Sequence, residues 1–159
     1  MTRMARAVLL VSLALWTGGL ATISFVVAPT AFKVASSRQE AGTLVGAVLR
    51  GFNRLELVCG VLALAASLLL LGRRPQGSRQ GFVSSALVFT MLTIAACLMF
   101  WIYPEAAAAR SILQGAPEDI VSKDHFALIH RISVILVSVN IFVGTGLLVC
   151  LGLRKTDGG

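Results

Sequence analysis

Glu56 and His130 are the residues of this chain best suited to chemistry, because each is ionisable and each stands at the edge of a long apolar run. An ionisable side chain at membrane depth is costly to keep, and by default it marks a functional site. A carboxylate facing an imidazole could hold a proton, a metal ion or a small polar ligand. It could equally be a structural ion pair, buried or snorkelling to the interface. Helical spacing extends each residue into a stripe: Glu56, Gly60, Ala63 and Ser67 on one segment, and His130, Ser133, Val137, Asn140 and Gly144 on another. Thr17, Ala21, Ser24 and Ala28 form a third. Small and polar residues on a membrane helix face other helices rather than lipid. Asn140 then reads as an interhelical hydrogen-bond clamp or a polar relay. The candidate ligand-binding set is Glu56, His130 and Asn140, with Asn53 and His125 close by in sequence.

Other chemistries find less support. A metal centre needs three or four ligands, and near Glu56 and His130 only Asn53, Asp124 and His125 are on offer. His125 and His130 are five residues apart and do not share a helical face, so no metal ligands are assigned. Both histidines fall at one end of one segment, which rules out bis-histidine haem ligation within a span, and no cofactor is expected. There is no phosphate-binding glycine loop, nucleophile elbow, HExxH motif or carboxylate arrangement suited to catalysis, so an enzyme is not expected. Cys59, Cys97 and Cys150 all lie in apolar runs at spacings that match no zinc or redox pattern, and no disulfide is assigned.

The elements that must position these residues are four apolar runs, 7–28, 55–72, 82–103 and 132–153, which hold one charged residue between them, Glu56. The 22-residue runs would reach about 33 Å as helices, enough for a hydrocarbon core of about 30 Å. With mean hydropathy +0.87 and 13% charged residues, the 159-residue chain reads as one all-α membrane domain, a polytopic four-transmembrane-helix bundle. Lipid is then its first partner. Self-association or another membrane protein is the second, and nucleic acid is excluded because no basic patch is interleaved with exposed aromatics. Residues 39–54 show apolar positions at Ala41, Leu44, Val45, Val48, Leu49 and Phe52, the pattern of an amphipathic helix lying in the membrane interface or capping the bundle. Ser122 is the expected N-cap of the fourth helix, after a break at Gly115-Ala116-Pro117. Trp101 and Tyr103 read as an aromatic belt.

The basic N-terminus followed by Ala7–Trp16 resembles a secretory leader, but the apolar run continues through Val27 and a retained helix is expected. Lys and Arg divide equally between the two sides. Arg3, Arg6, Arg73, Arg74, Arg79, Arg154 and Lys155 are packed against helix ends, which places both termini and the 73–81 loop in the cytoplasm and the protein in a cell inner membrane. The two halves also match at an offset of 74–75 residues, Phe25 on Phe100, Pro29 on Pro104 and Glu56 on His130. This suggests two tandem helical hairpins with Glu56 and His130 at equivalent depth.

Trp16-Thr17-Gly18-Gly19 leading to Ala28-Pro29-Thr30-Ala31-Phe32, Phe52-Asn53-Arg54-Leu55-Glu56, and the 126–133 stretch with Asn140 resemble the transmembrane protein 205-like family over nearly the whole chain. The resemblance implies a small four-span membrane protein and brings no agreed reaction with it. The functional expectation is a binding or transport module for a small ligand, metal ion or proton, with an outward-facing site near Glu56 and His130. The alternative is a structural or accessory subunit of a membrane complex.

Overall fold

Two prolines shape the first and third membrane segments. Proline donates no backbone N–H, and its ring crowds the carbonyl four residues earlier, here Phe25 for Pro29 and Phe100 for Pro104. In the computed structural model, which describes residues 2–72, 79–115 and 120–153, both helices answer by widening one turn. Helix α1 (Thr2–Thr22) passes through a π-helical turn at Ile23–Val27 into α2 (Ala28–Val34). Helix α4 (Arg79–Cys97) passes through another at Leu98–Ile102 into α5 (Tyr103–Gly115). The Ala28 N–H reaches Ile23 O and the Tyr103 N–H reaches Leu98 O, five residues back in each case. The two wide turns lie 75 residues apart, the offset at which Phe25 and Pro29 align with Phe100 and Pro104.

Helices α3 (Arg38–Leu71) and α6 (Ile120–Gly152) complete an all-α bundle, and no strand occurs among the described residues. Four continuous rods, Arg3–Val34, Arg38–Leu71, Arg79–Leu113 and Lys123–Gly152, are long and apolar enough to cross a membrane, making this a multi-pass membrane protein. At 30 to 35 residues they run roughly 45–52 Å and overshoot a hydrocarbon core of about 30 Å.

Three expectations change here. The amphipathic 39–54 stretch is not a separate interfacial helix; it is the first half of α3, which runs unbroken from Arg38 to Leu71. Ser37 starts that helix: its hydroxyl accepts the Glu40 N–H at 3.1 Å, while the Glu40 carboxylate accepts the Ser36 N–H at 2.9 Å, a variant of the capping box. Helix α6 already begins at Ile120, so Ser122 lies inside it and is not its cap. Tyr103 is turned inward and half-buried, while Trp101 is exposed as expected of a belt residue. The basic positions Arg73, Arg74, Arg154 and Lys155, and the break at Ala116-Pro117, lie outside the described residues.

Helix α1 packs on α3 and α6, and α4 packs on the same two, closing a ring of four. Leu9, Leu13, Trp16 and Leu20 line the inner face of α1 at helical spacing against Cys59, Ala63 and Ala66 of α3 and Val88, Met91 and Ala95 of α4. The start of α1 (Leu9), the end of α3 (Leu70), the start of α4 (Ser84) and the end of α6 (Leu151) meet at one end of the bundle. There Arg6 donates to Leu151 O at 2.7 Å. Phe32, the first turns of α3, helix α5 and the first turns of α6 meet at the other. The helices therefore alternate up and down, and the overshoot beyond the apolar runs gathers at the end opposite the termini.

Candidate functional site

Glu56 lies deep in the bundle. Because α3 begins at Arg38, Glu56 falls near the middle of the helix, and its carboxyl is 1% exposed. Its Oε1 accepts the indole N–H of Trp16 at 2.6 Å across the α1–α3 interface. Asn140 of α6 is fully buried. Its Nδ2 donates a long 3.4 Å bond to Met91 O, which ties α6 to α4. Buried polar bonds in one layer of the bundle thus join the rods in two pairs, α1 to α3 and α6 to α4.

Small residues let the layer close. A Cβ on Gly60 would run into Leu92 and lie 3.1 Å from the Trp16 ring, so Gly60 makes room for the indole. Gly144, one turn below Asn140, is contacted by Thr17 Oγ1 and Met91, and Gly19 is covered by the Phe52 ring. The stripe Glu56, Gly60, Ala63 and Ser67 is buried as its spacing implies. Close to Glu56, the layer keeps polar atoms that no protein group satisfies: both Oδ1 and Nδ2 of Asn53, Asn140 Oδ1 and Thr17 Oγ1. Buried atoms of this kind are uncommon, and each costs free energy to leave unpaired.

His130 is elsewhere. It precedes Asn140 by ten residues on α6, about 15 Å along the axis, and it is exposed. Its ring stacks on Phe126, with centroids 6.2 Å apart, and lines a cavity of about 450 Å³ at the end of the bundle opposite the termini. Glu56 does not line that cavity, so the two residues are not at equivalent depth and do not face one another. The upper part of the His130 stripe, His130 and Ser133, opens to the cavity, and its lower part, Val137, Asn140 and Gly144, packs against or enters the core. His125 belongs to neither place: its Nε2 pairs with Glu105 Oε1 at 3.1 Å on the surface between α5 and α6, with both side chains half exposed. Asn53, His125 and His130 therefore stand in three different settings. Among the described residues no cluster of three His, Cys, Asp or Glu could hold a metal ion. Cys59, Cys97 and Cys150 are free thiols.

Sequence reasoning missed Trp16 as the partner of Glu56, and it missed Tyr103, Arg50 and Arg110. Tyr103 lines the cavity from the start of α5. Arg110 of α5 crosses the cavity to donate to Gly42 O at 2.7 Å, with its guanidinium 5.4 Å above the Phe126 ring. Nothing in a run such as Trp16-Thr17-Gly18 separates an indole that packs from one that donates. The Gly42-x-x-x-Gly46 pair on which Arg110 rests was the one available signal.

No curated protein and no solved structure matches this chain. A family model does, over residues 11–113, a stretch that contains Trp16, Asn53, Glu56, Tyr103 and Arg110 and stops short of α6. The chain belongs to the family that this model defines, DUF4149, a domain of unknown function.

Proposed function

We propose that this protein is a membrane-embedded binding module that takes a small ligand in the cavity lined by His130 and Tyr103, with the Glu56 layer as its fixed floor. The observation that carries the reading is the cavity itself. It is a partly open cleft lined by residues of all four rods, and its volume of about 450 Å³ falls within the roughly 300–1,000 Å³ of ordinary small-molecule sites. A closed bundle with polar groups turned inward also supports binding over a purely accessory role, because an accessory subunit would present its small and polar stripes to a partner. In this reading Glu56 and Asn140 hold the helices in register below the ligand, Asn53 lies buried beside them, and His130 meets the ligand. His125, tied to Glu105 at the rim, stays outside.

The basic clusters near the termini support an orientation with both termini in the cytoplasm and the cavity open to the outside of a cell inner membrane. The shared offset of the two π-helical turns supports an origin in two tandem hairpins. The motifs shared with transmembrane protein 205-like proteins agree with that four-span architecture. The reading is of a protein that binds or passes its ligand without transforming it.

The test is native mass spectrometry of the purified protein, wild type against Ala107→Trp, which fills the cavity from its α5 wall. A small-molecule adduct carried by the wild type and lost in the variant is the expected result. Identical adduct-free spectra, with no ligand-dependent thermal shift from a panel of neutral, cationic and anionic amphiphiles, would leave the accessory-subunit reading in its place.

A further inference from the structure

The cavity has a marked charge character. Arg38 and Arg50 of α3, Arg110 of α5 and His130 of α6 contribute to its lining, and among the described residues no Asp or Glu does. Two of these cations are forced together. A Cβ built on Gly46 would lie 3.4 Å from Arg110 Nη1 and 3.6 Å from Arg50 Nη1, so both guanidinium groups converge on this glycine. Their proximity is an electrostatic cost, and the only described salt bridge, His125–Glu105, involves neither. Arg110 is held in place by its bond to Gly42 O and by the Phe126 ring beneath it, so this member of the pair is fixed, and Arg50 reaches the same glycine from within α3. Paired, oriented guanidinium forks are what recognise carboxylate and phosphate groups.

The remaining walls are apolar, with Phe32, Val45, Leu49, Leu113 and Phe126 around the arginine pair. Phe32 lines the cavity and is also 55% exposed, so the apolar wall reaches the outside of the bundle and leaves room for a hydrocarbon chain to enter beside it. Resting on the binding-module reading above, we propose that the cavity takes an anionic amphiphile. Its phosphate or carboxylate head lies between Arg50 and Arg110 beside Gly46, and its hydrocarbon chain lies along Leu49, Phe126 and Phe32.

The experiment uses the full chain in a neutral maltoside detergent, titrated with n-decyl phosphate, inorganic phosphate, decanol and decyltrimethylammonium while binding and thermal stability are followed. Decyl phosphate is expected to bind and raise the Tm, and inorganic phosphate to bind at least about tenfold more weakly because it lacks the buried chain. Arg50→Gln is expected to weaken decyl phosphate by about tenfold, the scale of one lost charged hydrogen bond. Arg110→Lys is expected to do likewise by losing the fork while keeping the charge. Among the described residues Arg50 makes no hydrogen bond or salt bridge, so its variant keeps the test readable if the Arg110 variant folds poorly. Decyl phosphate binding that survives Arg50→Gln unchanged would overturn the assignment, as would equal binding of inorganic phosphate, which would leave an anion site with no role for the chain. If decanol or the cationic amphiphile binds instead, and Ala107→Trp abolishes it, the anion assignment fails while the binding module stands. If no probe responds to Ala107→Trp, both fail.

Discussion

Trp16 donates its indole N–H to Glu56 at 2.6 Å in the interior of the bundle, and this bond joins the first membrane rod to the second. Glu56 is 1% exposed, and the indole supplies a hydrogen-bond donor to the buried carboxyl. Gly60 faces the same indole, and a Cβ there would overlap Leu92 and crowd the Trp16 ring at 3.1 Å.

Removing that donor while keeping an aromatic ring is the direct test of its weight. Trp16→Phe is expected to destabilise the bundle by about 1–3 kcal/mol, the range for a buried acceptor deprived of its partner. Glu56→Gln retains an acceptor oxygen of nearly the same shape and is expected to cost less. Thermal or chemical unfolding in detergent measures both. Wild-type stability in Trp16→Phe would show that the bond does not hold α1 to α3.

Gly144 and Thr17 offer a coupled pair. Gly144→Ala brings a methyl group against Thr17 Oγ1 and Met91 and is expected to cost about 1–3 kcal/mol by overpacking. Thr17→Ala removes a hydroxyl that has no protein partner, so alone it should cost little. Combined with Gly144→Ala it should recover part of the loss. Simple additivity in this double-mutant cycle would mean that the two sites are not in contact.

His125 and His130 are expected to behave differently although they are five residues apart. The His125–Glu105 pair is half exposed, and His125→Gln should change stability by no more than about 0.5 kcal/mol. It should also leave ligand binding untouched. His130→Ala should likewise spare stability but weaken whatever occupies the cavity, because the ring forms part of its wall. Equal binding by both variants would remove His130 from the site.

Topology can be read by labelling single cysteines in a background without Cys59, Cys97 and Cys150. A cysteine at Ser36, in the turn between α2 and α3, is expected to react with an impermeant reagent added outside intact cells. One at Gln76, between α3 and α4, is expected to react only after the membrane is opened. The reverse pattern would turn the cavity to the cytoplasm.

The number of membrane rods, the all-α bundle and the inward face of α3 at Glu56, Gly60, Ala63 and Ser67 were legible from composition and helical period, because hydrocarbon tolerates so few polar groups that their positions stand out. The depth of Glu56 was not legible. An amphipathic stretch that continues straight into an apolar run reads as two elements, and only the unbroken helix from Arg38 moves Glu56 from the rim to the middle. The partners of Glu56 were equally hidden. Self-alignment of the halves offered His130, but depth depends on where each helix begins, and α6 starting at Ile120 leaves His130 about three turns short of the polar layer. Asn140, which stood out as a polar residue in an apolar run, does reach that layer. Trp16 did not stand out, because an indole counts as apolar in any hydropathy pattern and its N–H matters only once a neighbouring helix brings an acceptor to it. The convergence of Arg50 and Arg110 on Gly46 belongs wholly to the tertiary structure, since it joins residues sixty positions apart on α3 and α5.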